Sequence, residues 1–216
     1  MIPPSWPAYE YQPSFVLGFH GCDRAVAERI LRGEGHLRPS TQHWDWLGHG
    51  IYFWEGNPGR AMAWADQRLM QGLIETPCVV GAIIDLRHCL DLFDRDGVSQ
   101  VRHAHRLYVN SSVAAGADMA RNVGATADKA GRGLDCAVMN TLHAFRRSRS
   151  VVPYDSVRGP FLEGAPIYPD AGFRSENHIQ LCVRNTDCIK GYFRPLPRRL
   201  HPSFAVRERE ARPEPG

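Results

Sequence analysis

The stretch Trp44-Asp45-Trp46-Leu47-Gly48-His49-Gly50-Ile51-Tyr52-Phe53-Trp54 decides how the chain is read. Bulky aromatics surround a Gly-x-Gly turn, and the β-branched and aromatic residues after it predict a strand over Gly50–Trp54. Glycine lets backbone approach a ligand or a second strand closely. Side chains alternate along a strand, so Tyr52 and Trp54 share one face. Aromatic faces beside such a turn make a platform for a flat ring, and small-molecule pockets have apolar walls with few polar groups. The same residues would equally fill the core of a plain hairpin. The flanking segments have to separate the two readings.

The chain has 216 residues, 43% of them hydrophobic and 23% charged, the profile of one globular domain with a real core. No apolar run approaches the roughly 20 residues of a membrane-spanning helix. The start, Met1-Ile2-Pro3-Pro4-Ser5-Trp6-Pro7, lacks the basic and apolar regions of a signal peptide. A cytoplasmic location with no membrane partner is therefore expected. The 6 cysteines form no C-x-x-C pair, and several sit in apolar runs, so all read as core thiols. His103 and His105 lack a further ligand at metal spacing, and no metal is expected. A net charge of +3 tolerates a polyanionic partner without demanding one. Positive charge is densest over residues 143–149 and 194–199, where a solvated surface is the plainer meaning and phosphate contact the sharper one.

Outward from the aromatic stretch, residues 1–13 are proline- and aromatic-rich and read as an extended arm. Phe15–Phe19 has strand character and ends on His20-Gly21. Asp23 then caps a helix that carries Val26, Ala27, Ile30 and Leu31 and closes at Gly33. Asn57-Pro58 starts a second helix reaching Met70. Cys78–Leu86 predicts a strand buried on both faces. Between 94 and 130, Val101–Tyr108 and Ala114–Arg121 look helical. Leu134–Met139 is buried, and its periodicity does not decide between strand and helix. Residues 150–172, dense in proline and glycine, read as a long functional loop with Tyr154–Gly159 its most suggestive part. Asn177–Val183 is the last clear strand, and the tail over 201–216 reads as disordered. The expected fold class is α+β, since strands and helices do not alternate as in a doubly wound parallel sheet.

Three pieces then stand in order: Phe19-His20-Gly21, Gly48-His49-Gly50-Ile51-Tyr52-Phe53, and a late strand carrying Glu176, His178 and Gln180. This arrangement resembles the ADP-ribosyltransferase superfamily, in its diphtheria-toxin and poly(ADP-ribose)-polymerase-like branch named for a His–Tyr–Glu triad. The likeness spans roughly residues 15–193 and implies a split β-sheet core with flanking helices, a catalytic domain over 14–200, and NAD as substrate. It implies that His20 meets a ribose hydroxyl and that the Gly21 backbone pairs with the nicotinamide amide. Tyr52 would stack on the nicotinamide ring, Trp64 would form the second wall, and Ser40 would be a further NAD contact. By their location alone, Arg24 beside the first motif and Arg158 in the late loop could reach the NAD phosphates. The third triad member stays open between Glu176 and Gln180, with His178 between them, because only Glu176 carries a carboxylate while the strand position favours the later residues.

The function implied is transfer of one ADP-ribose unit from NAD to a protein or nucleic-acid acceptor with release of nicotinamide, as in a bacterial toxin or defence effector. A cognate antitoxin or immunity protein would be the further partner. Two rivals remain: an NAD glycohydrolase, in which water replaces the acceptor, and an inactive module that binds NAD or ADP-ribose. Positioning and electrostatics would supply most of the rate.

Overall fold

The structure, a computed structural model, describes residues 15–124 and 131–196. The predicted arm over 1–13 and tail over 201–216 lie outside the described residues. In chain order the elements are β1 (Phe15–Asp23), α1 (Arg24–Leu31), β2 (Ile51–Glu55), α2 (Pro58–Met70), β3 (Pro77–Asp85), β4 (Cys89–Asp91) and α3 (Arg95–Ala115). Then come a small strand pair, β5 (Asn122–Val123) with β6 (Gly131–Arg132), followed by α4 (Gly133–Ser148), β7 (Ser156–Phe161), β8 (His178–Val183) and β9 (Ile189–Phe193). Seven strands form one mixed sheet in the order β4-β7-β8-β2-β1-β3-β9, antiparallel except for the β4–β7 pair. The fold class is α+β.

Both early helices begin where capping chemistry places them. Asp23 accepts from Ala25 N–H at 2.8 Å, and its other oxygen accepts from Glu75 and Thr76 N–H at 2.7 and 3.0 Å. One carboxylate thus starts α1 and ties it to the approach of β3, and those amide bonds hold its pKa below the usual carboxylate range. Asn57 accepts from Arg60 N–H at 3.0 Å, with Pro58 in the first turn of α2.

Helices cover the two faces unequally. On one face Ala27 and Ile30 of α1 pack on Phe53, Val80, Ala82, Ile84, Leu181 and Val183. On the other, Ala61 of α2 covers Phe19, Trp54 and Val79, while α3 and α4 bring Ala104, Val138, Met139 and Leu142 over Val157 and Cys182. Gln180, half-buried on the same face, is the register partner of Trp54.

Several expectations are corrected. β1 runs on through His20-Gly21 to Asp23, because β3 pairs with it along its full length. Ala114–Arg121 is not a helix: α3 is continuous from Arg95 and ends where Gly116 takes a left-handed conformation at φ 61°. Few of its residues face inward, so its period is faint in the sequence. Leu134–Met139 belongs to α4, whose end also carries the basic run. The supposed loop over 150–172 contains β7, held between β4 and β8. β3 is mostly buried on both faces, but Ile83 is 41% exposed. The six cysteines are free as expected, with Cys136, Cys182 and Cys188 buried and Cys22, Cys78 and Cys89 half-buried.

His143 of α4 gives the fold a pH signature. It is buried, neither ring nitrogen has a hydrogen-bond partner among the described residues, and burial with the Arg184, Arg147 and Arg146 charges lowers its pKa from 6.5 to about 3. The unfolded chain therefore binds a proton that the folded chain refuses between those values. The corresponding stability is full above pH 6.5 and is lost as pH falls toward 3. The loss is on the order of 5 kcal/mol. Urea unfolding at a series of pH values should show this slope, and His143→Leu should flatten it.

Candidate active site

The geometry that matters begins where β1 and β2 part. Their ladder holds only Gly18 opposite Glu55 and Phe19 opposite Trp54, with Gly56 N–H donating to the Leu17 carbonyl just before it. Backbone groups of an antiparallel strand alternate sides, so Leu17, Phe19 and Gly21 all turn their N–H and C=O toward β2. The register would place Gly21 opposite Tyr52. Instead the Tyr52 carbonyl lies 2.7 Å from His20 Nδ1, which donates to it. The imidazole has taken the place that the Gly21 amide would hold in a continuing ladder. The strands separate there, and the Gly21 backbone is left at the edge of the gap.

This bond also sets the tautomer of His20. With Nδ1 carrying the hydrogen, Nε2 keeps a lone pair and accepts. Burial lowers the His20 pKa, against the raising effect of the Tyr52 carbonyl, which keeps the ring neutral near pH 7. Phe53 packs edge-on at 5.8 Å and fixes the ring plane. A hydroxyl donor presented to the gap would find an acceptor of fixed direction.

Tyr52 is placed by its own turn. Its hydroxyl donates to the Gly48 carbonyl at 2.8 Å and accepts from Leu47 N–H at 3.0 Å. Burial raises its pKa well above the ordinary value, so the phenol stays protonated. Its ring can serve as a wall, and its oxygen is already committed to the loop. Gly48 allows that loop with a left-handed φ of 82°. Ser40 pairs with Gly50 as an isolated bridge, and its hydroxyl donates to Asp45 at 2.9 Å, so it braces the same loop.

Trp64 lies on α2 with its ring 6.0 Å from Trp54 and the Arg68 guanidinium 5.7 Å above it. The two tryptophans, not Trp64 with Tyr52, form the aromatic pair on this face. Trp54 also lies 6.2 Å from His178, whose ring stacks on Phe161 at 5.3 Å. Trp46 donates from Nε1 to Gln180 Oε1 at 2.5 Å and packs edge-on against Phe161 at 5.0 Å. Trp46 and Trp54 are thus packing residues, while Trp44 is exposed.

The late strand resolves part of the sequence's ambiguity. Glu176 sits in the turn before β8, so it does not share the strand's alternation with His178 and Gln180. Gln180 lies opposite Trp54 on one side and Gly159 on the other. His178, at the first position of β8, directs Nδ1 to the Glu176 carbonyl at 2.7 Å, and its Nε2 is buried with no hydrogen-bond partner among the described residues. Burial, foremost, lowers its pKa.

Arg158 is held within the sheet instead of standing free for a phosphate. Its guanidinium meets Glu55 at 2.6 and 3.0 Å and Asp91 at 3.2 Å, with Phe93 4.7 Å from it. Arg24 is exposed at the start of α1. Arg60 and Glu163, which the sequence reading did not single out, meet at 2.5 Å beside His178. Arg60 lies one helical turn before Trp64, a spacing the sequence offers; Glu163 became visible only once β7 was paired with β8.

Among the described residues no group of three or more His, Cys, Asp or Glu side chains could hold a metal, and no helix is long and apolar enough to cross a membrane. Comparison with protein-family models, with curated proteins and with solved structures found no match for this chain.

Proposed function

We propose that the chain is an NAD-dependent mono-ADP-ribosyltransferase built on one mixed sheet in which β1 and β2 part beyond Phe19 and Trp54, with that gap as its nicotinamide site. The observation that carries this reading is the displaced ladder bond: His20 Nδ1 holds the Tyr52 carbonyl at 2.7 Å, freeing the Gly21 backbone at the gap. A carboxamide needs one donor and one acceptor side by side, which is what a free N–H and C=O of one residue offer. His20 Nε2 suits a ribose hydroxyl, and the Tyr52 ring suits an aromatic face beside it. Cleavage of the nicotinamide–ribose bond passes through an oxocarbenium-like state, so fixed dipoles and a nearby negative charge would supply the rate.

The acceptor, protein or nucleic acid, and a cognate inhibitor remain part of the same proposal. A binding module is the second reading, favoured by one observation: the inward positions His178, Gln180 and Cys182 of β8 include no carboxylate. Incubation with labelled NAD separates the readings. Nicotinamide release with label on a macromolecule is the expected result. Release with free ADP-ribose alone would make the chain a glycohydrolase, and binding without release would make it a module.

A further inference from the structure

We propose that Glu163, not a residue of the late strand, supplies the catalytic carboxylate of this site; the inference rests on the ADP-ribosyltransferase reading. Glu163 lies two residues beyond β7, and the pairing of Phe161 with His178 brings it to the start of β8. Its backbone is fixed on both sides: its N–H donates to Asn177 Oδ1 at 3.3 Å and its carbonyl accepts from Glu176 N–H at 3.1 Å. Its carboxylate lies 2.5 Å from Arg60 Nη2 and 3.6 Å from His178 Nδ1, with 27% of the side chain exposed. Glu176 also reaches Arg60, at 3.4 Å, but is 49% exposed and sits in the turn. Glu163 is therefore the carboxylate that is both held in place and still open to a substrate.

The charge balance of the cluster supports a role toward a cation. Arg60 from α2 faces two carboxylates, Glu163 after β7 and Glu176 before β8, and His178 is the other titratable group against them. Among Arg60, Glu163 and Glu176, a neutral His178 leaves one carboxylate in excess, with the Arg174 guanidinium 3.1 Å from the adjoining Gly164 carbonyl. The His178 Nδ1 hydrogen is committed to the Glu176 carbonyl, and burial opposes protonation of Nε2. The cluster also adjoins the aromatic wall, since Trp54 lies 6.2 Å from His178 and 6.0 Å from Trp64. Preorganised negative charge beside a developing oxocarbenium ion lowers its energy without reorganisation during the step.

In the step itself, the bond from ribose C1′ to the nicotinamide nitrogen breaks with its electron pair going to nitrogen, and neutral nicotinamide leaves. The acceptor heteroatom bonds to C1′, its proton passes to the Glu163 carboxylate, and water later removes that proton. No oxidant or metal is needed for the balance.

The test compares Glu163→Gln, Glu163→Asp and Glu176→Gln in the full chain, measuring nicotinamide release and NAD affinity separately. Glu163→Gln should slow release at least ~100-fold while NAD affinity stays within about threefold. Glu163→Asp should retain an intermediate rate, because it keeps the charge at greater distance. Glu176→Gln, which removes a charge from the exposed edge of the cluster, should slow release clearly less than Glu163→Gln does. Wild-type rate in Glu163→Gln, equal rates for the Asp and Gln variants, or the large loss falling on Glu176→Gln would each overturn the assignment. A parent protein that binds NAD and releases no nicotinamide would remove the transferase reading and Glu163's role with it.

Discussion

Replacing His20 with alanine should reduce nicotinamide release by ~100-fold or more, with the fold retained. The imidazole has two jobs in this account. Its Nε2 lone pair meets the ribose, and its Nδ1–H keeps the Tyr52 carbonyl away from the Gly21 amide. Alanine removes both. The carbonyl then loses a partner at a cost of about 1–3 kcal/mol, unless Gly21 N–H replaces it and the ladder extends by one bond. That extension would close the gap, so the variant should also bind NAD poorly. Hydrogen exchange at the Gly21 amide gives a separate readout, with greater protection expected in His20→Ala. Unchanged release would remove His20 from the site, and unchanged exchange would remove its role in parting the strands.

Gly21→Ala should be the most damaging single-methyl change at the site, acting on stability and activity together. A Cβ at this position would lie 2.0 Å from the Ala61 carbonyl oxygen and 3.1 Å from the Ala61 carbonyl carbon. Both are backbone atoms of α2, so no side chain can rotate away, and the helix itself has to move. Overpacking of this kind costs about 1–3 kcal/mol. Moving α2 also shifts Arg60 and Trp64, which lie on either side of Ala61. Gly191→Ala is the matched control, because nothing lies within 4 Å of a Cβ built there. Urea unfolding should separate the two variants clearly, and nicotinamide release should be lost in Gly21→Ala alone. Equal stability for both would show that α2 does not press on β1 as described.

Much of this geometry was legible in the residues because it is local. Asp23 and Asn57-Pro58 declared both helix starts through capping chemistry, and the Gly-x-Gly turn declared β2 through composition. What was hidden depends on pairings distant in sequence. β7 contains Gly159 and Pro160, which speak for a loop when read alone. In the fold, Gly159 lies beneath Trp46, where a Cβ would come within 2.9 Å of the ring. β4 is only three residues long and pairs in parallel with β7, a contact that no local pattern announces. Glu163 stayed unread for the same reason, since its position follows from the pairing of Phe161 with His178. The sequence presents the tyrosine motif as a stacking platform. Its hydroxyl bonds to the Gly48 turn show why a tyrosine holds that place in the fold.

A crystal structure of the protein soaked with NAD tests the central claim most directly. The account predicts the nicotinamide in the gap between β1 and β2, its amide bonded to the Gly21 N–H and C=O, its ring against Tyr52, and a ribose hydroxyl on His20 Nε2. The open cleft bordered by His36, Asp85, Arg87 and Lys190 lies elsewhere on the protein. NAD bound in that cleft with the β1–β2 gap unfilled would contradict the account.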